Sequence, residues 1–440
     1  MGGHADLDAW ETKMPDGTAD VLKDRREAAR RAAYDQPLET FNPARAAFFR
    51  DDVMWPYFER LRKESPVHFT PDSNYGAFWS ITKYNDIMAV DSNHQVFSSA
   101  SGIALPSKEA QQYSEGRRSA PNFISMDPPK HDVQRKTVSP ALAPSALANL
   151  APLIRERAGL ILDSLPIGEP FDWVDLVSKE LTTMTLATLF DFPFDERRKL
   201  THWSDTMTTA TGFGPVATAE DRRATMDECF AYFTKLWNER VNAPPAGDLI
   251  SMLAHGADTR DMSEAEFHAN VTLLIIGGND TTRNTISGSV FALNRNPDQY
   301  DKLRADLSLI PSMVSETIRW QTPLAHMSRT ALEDVEFRGK LIKKGERVVM
   351  WYVSGNRDEE VIENPNAYII DRPRPRQHLS FGFGIHRCVG NRLAELQLTI
   401  IWEEIMKRFP EIRLLEEPKR SYSIFVKGYE DMQVLIPSRL

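Results

Sequence analysis

Residues Phe381 to Gly390 read FGFGIHRCVG and set one cysteine, Cys388, in a glycine-punctuated loop that opens a segment of helical composition. Glycines at 382, 384 and 390 allow backbone conformations closed to other residues and a close approach to a flat ligand. A sulfur at the start of a helix sits among unpaired backbone amides and the positive end of the helix dipole, and both favour the thiolate. Bound metal then keeps it deprotonated. The arrangement suits a thiolate bound to a heme iron, and an axial thiolate favours O–O cleavage where histidine serves globins and peroxidases. A lone cysteine is by default a small buried hydrophobe, and Cys229, in Asp227-Glu228-Cys229-Phe230, is read that way.

A second stretch, Val271 to Thr282, is apolar for two turns and then abruptly small and polar, VTLLIIGGNDTT. On a helix Leu274, Gly277 and Thr281 share a face, so Gly277 leaves a gap free of side chain just before a hydroxyl. Dioxygen fits such a gap. Each glycine costs a helix roughly 1 kcal/mol relative to alanine, so a requirement other than helix stability is expected here. Gly-Gly-polar runs more often end helices; the pairing with Cys388 is what favours a helix crossing a buried cofactor. A third pattern, Glu316-Thr317-Ile318-Arg319, puts a carboxylate and a guanidinium on one helical face, a common arrangement that by itself contributes about 0.2–0.5 kcal/mol.

FGFGIHRCVG resembles the heme-binding signature of the cytochrome P450 family, and the resemblance extends over about residues 45–440. GGNDTT is similar to the family's oxygen-activation segment. That likeness implies that Asp280 gates proton delivery and that Thr281 hydrogen-bonds the oxygen being activated, and a hydroxyl backed by a carboxylate and water is a competent proton source. Glu316 and Arg319 look like the family's ExxR pair, and Arg372, in Asp371-Arg372-Pro373, matches the arginine that completes it. Their implied role is structural, a charged network fixing the Cys388 loop. The resemblance makes Cys388 the iron ligand, puts Phe381, Gly390 and Gly277 against the heme, and gives its propionates to His131, Arg135, Arg329 and His386. It also implies a mainly α protein with a minor β region (α+β), heme lying between the oxygen-activation helix and the helix after the cysteine loop.

The elements that must position these groups are partly visible in the sequence. Strong helix formers dominate 150–165, 174–190, 219–241, 263–296, 298–320 and 389–408, with Pro and Gly between them. Val67 to Tyr84 reads as a hairpin around Pro71-Asp72-Ser73-Asn74, and Val335 to Trp351 as another turning at Lys344-Gly345. Residues 1–45 read as a polar extension packed over the entrance, with Lys23 to Arg31 an exposed helix whose continuous face is alanine, and 46–440 as a single domain. The 440 residues are 41% hydrophobic and 26% charged, without a Gly/Ser linker or repeat to divide them.

Two cysteines exclude a disulfide framework, and neither CxxCH nor paired CxxC occurs. With no signal-peptide pattern and no apolar run of membrane-spanning length, a cytoplasmic protein without a transmembrane segment is expected. The sequons at Asn270 and Asn279 are then coincidental. A net charge of −9 argues against a nucleic-acid partner. No flavin or nicotinamide pattern follows the cysteine loop, so electrons are expected from NAD(P)H through separate proteins. Family members of this length use an iron–sulfur ferredoxin and ferredoxin reductase, with heme b as cofactor and O2 as co-substrate; a monomer is expected. Lys130, Lys136, Arg374, Arg376, Arg387 and Arg392 would form a basic docking face on the cysteine side.

Expected pocket walls are Ile103, Leu105, Leu273, Leu274, Leu324, Met327, Ile424 and Phe425, with the helix ends around Met207 to Phe213. They are apolar and suit a hydrophobic substrate. GGNDTTRNTISG, HMSRTA and HLSFGFGIHRCVGNRLAELQL are similar to bacterial terminal hydroxylases of medium-chain alkanes and fatty acids within the family, so terminal (omega) hydroxylation is the expected reaction. Alternatives are a hydroxylase of another hydrophobic substrate such as a terpenoid or macrolide, a peroxide-driven heme-thiolate peroxygenase, and a non-enzymatic heme sensor or carrier.

Overall fold

The longest helix, Glu264–Arg295, owes its place to its sequence. Ser263 caps it, the hydroxyl accepting the Glu266 N–H at 3.3 Å. From Asn284 to Leu293 every residue is buried, the all-round pattern of a helix enclosed by others. The computed structural model describes residues 18–108, 111, 120–209 and 215–440. In it the π turn Val174–Lys179 with Glu180–Phe190, and the helices Arg198–Thr208, Ile310–Gln321 and Asn391–Arg408, pack around that central rod. A Cβ on Gly288 would meet the Gln321 side chain at 2.8 Å, so the glycine permits a close helix crossing. Trp402 Nε1 donates to Ser289 Oγ at 2.8 Å and ties the helix behind the cysteine loop to the rod.

Helices stand at Pro144–Asp163, Ala219–Val241 and Asn391–Arg408, close to the expected spans. The span 298–320 is instead two helices, Pro297–Ala305 and Ile310–Gln321, joined by the 3-10 turn Leu307–Leu309. Two local causes interrupt it. Asp306 accepts the Ser308 N–H at 2.9 Å with its side chain, and Pro311 has no N–H to continue a ladder.

Val67–Thr70 and Phe78–Ile81 form the expected hairpin, Val67 opposite Ile81. The second expected hairpin needs correction. Val335–Phe337 pairs with Lys340–Ile342, turning at Arg338-Gly339, whose φ angles of 49° and 71° meet the demand of a type I′ turn. Arg347–Met350 leaves this hairpin. It runs parallel to Phe78–Ile81 and antiparallel to Met327–Ala331, inside a five-stranded sheet that ends at Phe97–Ser98. A central strand is covered on both faces, which is why Val348, Val349 and Met350 are all buried. This sheet carries Arg329 toward the cysteine loop.

Residues 18–45 are not wholly exposed. On the helix Thr18–Asp35 the alanine face is used, with Ala29 and Ala33 buried in a cluster with Phe41, Tyr57 and Phe58. Among the described residues no single helix is long and apolar enough to cross a membrane.

Candidate active site

One cavity of about 730 Å3 runs between the Gly277 stretch of the long helix and the Cys388 loop. Ile103, Leu105, Leu273, Leu274, Leu324, Met327, Ile424 and Phe425 all line it, as do Phe381, Gly277, Thr281, Arg135, Arg329, His386, Cys388 and Gly390. Of the expected stretch Met207–Phe213, Met207 lines the cavity too, while 210–213 lie outside the described residues. His326, between Leu324 and Met327, turns away, its Nδ1 3.0 Å from Ile424 O and its ring beside Trp351.

The loop is shaped by its glycines, but not by all three. Gly382 and Gly384 both have φ of 67°, and a Cβ on Gly384 would lie 2.5 Å from Asp91 O; only glycine fits there. Gly390 differs. Its φ is −90° and a Cβ would meet Cys388 Sγ at 3.9 Å, an ordinary contact. The Cys388 N–H donates to Phe381 O at 2.8 Å, closing the loop. Cys388 has accessible surface although it lies deep, because that surface faces the cavity. Burial pushes its thiol up, while the N–H groups of Gly390 and Asn391 at the helix start and the charges of Arg135 and Arg387 favour the thiolate.

Above the loop, Gly277 leaves open space where a Cβ would stand, whereas a Cβ on Gly278 would strike Leu186 at 2.9 Å. The first glycine makes the gap; the second admits a neighbouring helix. Thr281 Oγ1 donates to Gly277 O at 3.1 Å and borders the gap.

Asp280 is not beside it. It is fully buried on another side of the helix, accepting from Ser204 Oγ at 2.9 Å and paired with Arg283 at 2.7 Å, and it does not line the cavity. Arg283 is shared with Asp205 at 2.5 Å. Burial pushes the Asp280 carboxyl up, and Arg283 opposes that rise. Consecutive helical residues point about 100° apart, so a hydroxyl facing the cavity turns the preceding carboxylate into the helix packing.

The cationic set also divides. His386 packs its ring on His131 with centroids 4.4 Å apart. Arg135 donates to Arg387 O, and Arg329 is held by Asp91 at 2.6 Å. Asp91 also accepts from Tyr352 Oη and from the Phe383 N–H, both at 2.8 Å. His131 does not reach the cavity wall. It backs His386, and its Nδ1 lies 2.7 Å from Asp132. Burial, with Arg329, His131, Arg135 and His94 around it, pushes the His386 imidazole down to about 2. Nothing in the sequence around Asp91 singles it out; its partners are hundreds of residues away.

Glu316, Arg319 and Arg372 do meet. Arg319 binds both Glu316 oxygens at 2.8 Å, and Arg372 Nε donates to the same carboxylate at 3.1 Å. Arg319 also donates to Asn356, Pro365 and Ala367 carbonyls at 2.7–2.9 Å. The triad therefore fixes residues 356–372, and its hold on the cysteine loop is indirect. Asn356 carries it onward, donating to Ser380 Oγ at 2.8 Å and accepting the Leu379 N–H at 2.7 Å.

A flat, carboxylate-bearing iron cofactor fits these residues. Cys388 offers a sulfur with N–H donors behind it, Gly277 leaves room across the cavity, and buried ring nitrogens of His386 and His131 Nε2 have no hydrogen-bond partner among the described residues. Buried polar atoms ordinarily have partners, and the carboxylates of such a cofactor would supply them beside Arg135 and Arg329.

Of the six basic residues on the cysteine side, Lys130 is paired with Glu266 and Arg376 with Glu395; Lys136, Arg374, Arg387 and Arg392 are exposed.

The cytochrome P450 family model matches residues 54–422. Linalool 8-monooxygenase of Pseudomonas putida is 35% identical over 394 residues, 88% of this chain and 97% of that relative. A methyl-branched lipid omega-hydroxylase of Mycobacterium tuberculosis is 32% identical, over 87% of this chain and 91% of its own. Among solved structures, cytochrome P450-153 from Novosphingobium aromaticivorans superposes with a TM-score of 0.83 at 46% identity, covering 90% of this chain and 98% of the other. With that model matched across most of its length and such relatives covered almost end to end, the chain belongs to the cytochrome P450 family of heme monooxygenases.

Proposed function

We propose that this chain hydroxylates the terminal carbon of medium-chain alkanes or fatty acids. The observation that carries the reading is one apolar cavity that continues from Ile103, Leu105 and Phe425 to Cys388 and the gap at Gly277. A chain-shaped molecule in it presents an end, rather than its middle, to the reacting centre. The omega-hydroxylase named above supports the same reading.

In this reading Cys388 ligates iron, Phe381, Gly277 and Gly390 hold the ring of heme b, and Arg135, Arg329 and His386, backed by His131, receive its carboxylates. Bound there, the heme activates O2 with electrons from outside. Thr281 Oγ1 holds a proton at the cavity wall, and replacement protons come from Asp280 once its side chain turns away from Arg283. Glu316, Arg319 and Arg372 keep the supporting segment in place. Electrons come from NAD(P)H through a ferredoxin and its reductase, the ferredoxin docking on exposed Lys136, Arg374, Arg387 and Arg392. We treat 46–440 as the domain that does this and 1–45 as its extension.

Products from a panel of alkanes, fatty acids and terpenoids, with surrogate redox proteins, test the assignment. Terminal alcohols are expected, and oxidation only at internal carbons would sink it. A terpenoid substrate is the second reading, favoured by the 35% identity to linalool 8-monooxygenase; preferential turnover of the terpenoids would establish it.

Two substitutions probe the walls. Leu274→Ala widens the space one turn before the gap, so oxidation should move inward along the chain. Each ~1.4 kcal/mol of lost orientation preference lowers the terminal-to-internal product ratio tenfold, and an unchanged ratio would contradict the channel. Thr281→Ala removes the wall's hydroxyl, so hydrogen peroxide should rise at the expense of product, several-fold per NAD(P)H consumed. Fully coupled turnover would remove Thr281 from proton delivery.

A further inference from the structure

We infer that Asp91 is a positioning residue of the heme site: its one carboxylate fixes the Cys388 loop and offsets the charge of Arg329, and so holds the reduction potential of the iron down. The inference rests on the heme reading above and adds a residue to it. Asp91 lies in the last turn of the helix Tyr84–Ser92 and is 2% exposed. Neither place suits an aspartate, because the C-terminal end of a helix disfavours negative charge and burial strips a carboxylate of its water. A requirement outside the helix puts it there.

That requirement shows in its bonds. Oδ1 accepts from Arg329 Nη2 at 2.6 Å, and Oδ2 accepts from the Phe383 N–H and from Tyr352 Oη, both at 2.8 Å. Arg329 stands on the strand Met327–Ala331 and Phe383 in the cysteine loop, so a single side chain joins the two elements that form this end of the cavity. Contact on the loop side is close. A Cβ on Gly384 would meet Asp91 O, and one on Gly382 would lie 3.5 Å from Asp91 Oδ2, so both left-handed glycines of the loop rest against this residue.

Charge at this end of the cavity is otherwise positive. Arg135 and Arg329 line it, and Arg387 acts on the Cys388 sulfur from within the loop. Among the described residues, Asp91 is the one carboxylate paired with any of these three. Burial pushes its carboxyl up, while Arg329, the Phe383 N–H and Tyr352 oppose that rise, and three donors on two oxygens favour the anion. A negative charge in this wall disfavours an electron added to iron held by Cys388, and the charge of Arg329 acts in the opposite sense. Groups behind a metal site tune it in this way without touching it.

The test is a potentiometric titration of the heme-loaded full chain, with the absorption of the reduced carbon monoxide complex read on every variant. Asp91→Asn keeps the shape and an acceptor oxygen for the Phe383 N–H and Tyr352, and removes the charge. It should favour the reduced iron about tenfold, an upward shift of ~59 mV for one electron. Arg329→Gln should shift the potential downward, and the double variant should return to within about threefold of the unmodified protein, because together the two changes remove no net charge. Asp91→Ser, smaller and without an amide hydrogen to meet Arg329, serves if the asparagine variant does not fold. An unchanged or lower potential on removing the charge of Asp91, or a double variant as high as Asp91→Asn alone, overturns the role of Asp91. A rise accompanied by loss of the thiolate spectrum in both Asp91 variants overturns it as well, since the shift then reports a lost ligand. An unmodified chain that shows no thiolate spectrum removes the heme reading itself.

Discussion

Cys388→Ser is expected to abolish hydroxylation and to change the absorption of the reduced carbon monoxide complex, while the fold survives. The sulfur is the one soft, thiolate-forming atom facing the cavity among the described residues; Cys229 is buried, and burial pushes its thiol far up. Gly390 and Asn391 N–H groups and the charges of Arg135 and Arg387 act on that atom to favour its anion. A serine oxygen keeps the shape but stays protonated and lacks the electron donation that an axial thiolate supplies. The backbone bond from Cys388 N–H to Phe381 O does not involve the side chain, so the loop should close as before. Product formation should fall by at least about 10³-fold, as when one member of a unit that acts together is lost. A variant that retained both its spectrum and its turnover would refute the assignment of Cys388 as the ligand.

The second large effect falls on stability. Glu316→Gln should leave little folded holoprotein, because Glu316 is fully buried and faces Arg319 and Arg372, both buried too. Removing one partner of a buried charged set costs about 3–5 kcal/mol, against a total stability of about 5–15 kcal/mol. Here two guanidiniums lose their counter-charge at once, and glutamine keeps one acceptor oxygen where the carboxylate has two, so an amide NH2 facing Arg319 Nε and Arg372 Nε would oppose donor to donor if its oxygen stays with the Ile369 N–H. Arg319→Lys should also fail. A single ammonium cannot serve both carboxylate oxygens together with the Asn356, Pro365 and Ala367 carbonyls that the guanidinium fork reaches. Thermal and denaturant melts of both variants, read beside heme content, check this. A melting midpoint within a degree or two of the unmodified protein would mean that the triad is dispensable.

Asn356 shows how far this dependence extends. It lies between the triad's segment and the cysteine loop, bonding Ser380 Oγ and the Leu379 N–H, while Ser380 Oγ donates to Ile318 O at 2.7 Å. The loop is held by a relay that begins at a helix 72 residues before the sulfur at its Glu316 end (388 against 316). The effect of losing Glu316 on heme retention therefore follows from packing rather than from contact.

Much of this was legible in the sequence because its information is local. FGFGIHRCVG and VTLLIIGGNDTT each state their residue types and their spacing within a turn or two, and a helix of known period places Leu274, Gly277 and Thr281 on one face. The eight apolar residues named as walls line one cavity. Local pattern also fixed the helices whose ends carry Pro, Gly or a capping hydroxyl. Three matters were beyond it. Whether Arg347–Met350 pairs with its neighbour in sequence or with Phe78–Ile81 depends on which apolar faces need covering, and that is settled by the whole sheet. Which way Asp280 points depends on Ser204, Asp205 and Arg283 competing for it across a helix interface. That Arg329 is anchored by Asp91 depends on segments brought together only by packing. Sequence alone determined which groups are available for chemistry. Tertiary structure decided which of them face the cavity and which are held by a partner, because the cost of burying a charge is met by whichever opposite charge or donor the fold brings within reach.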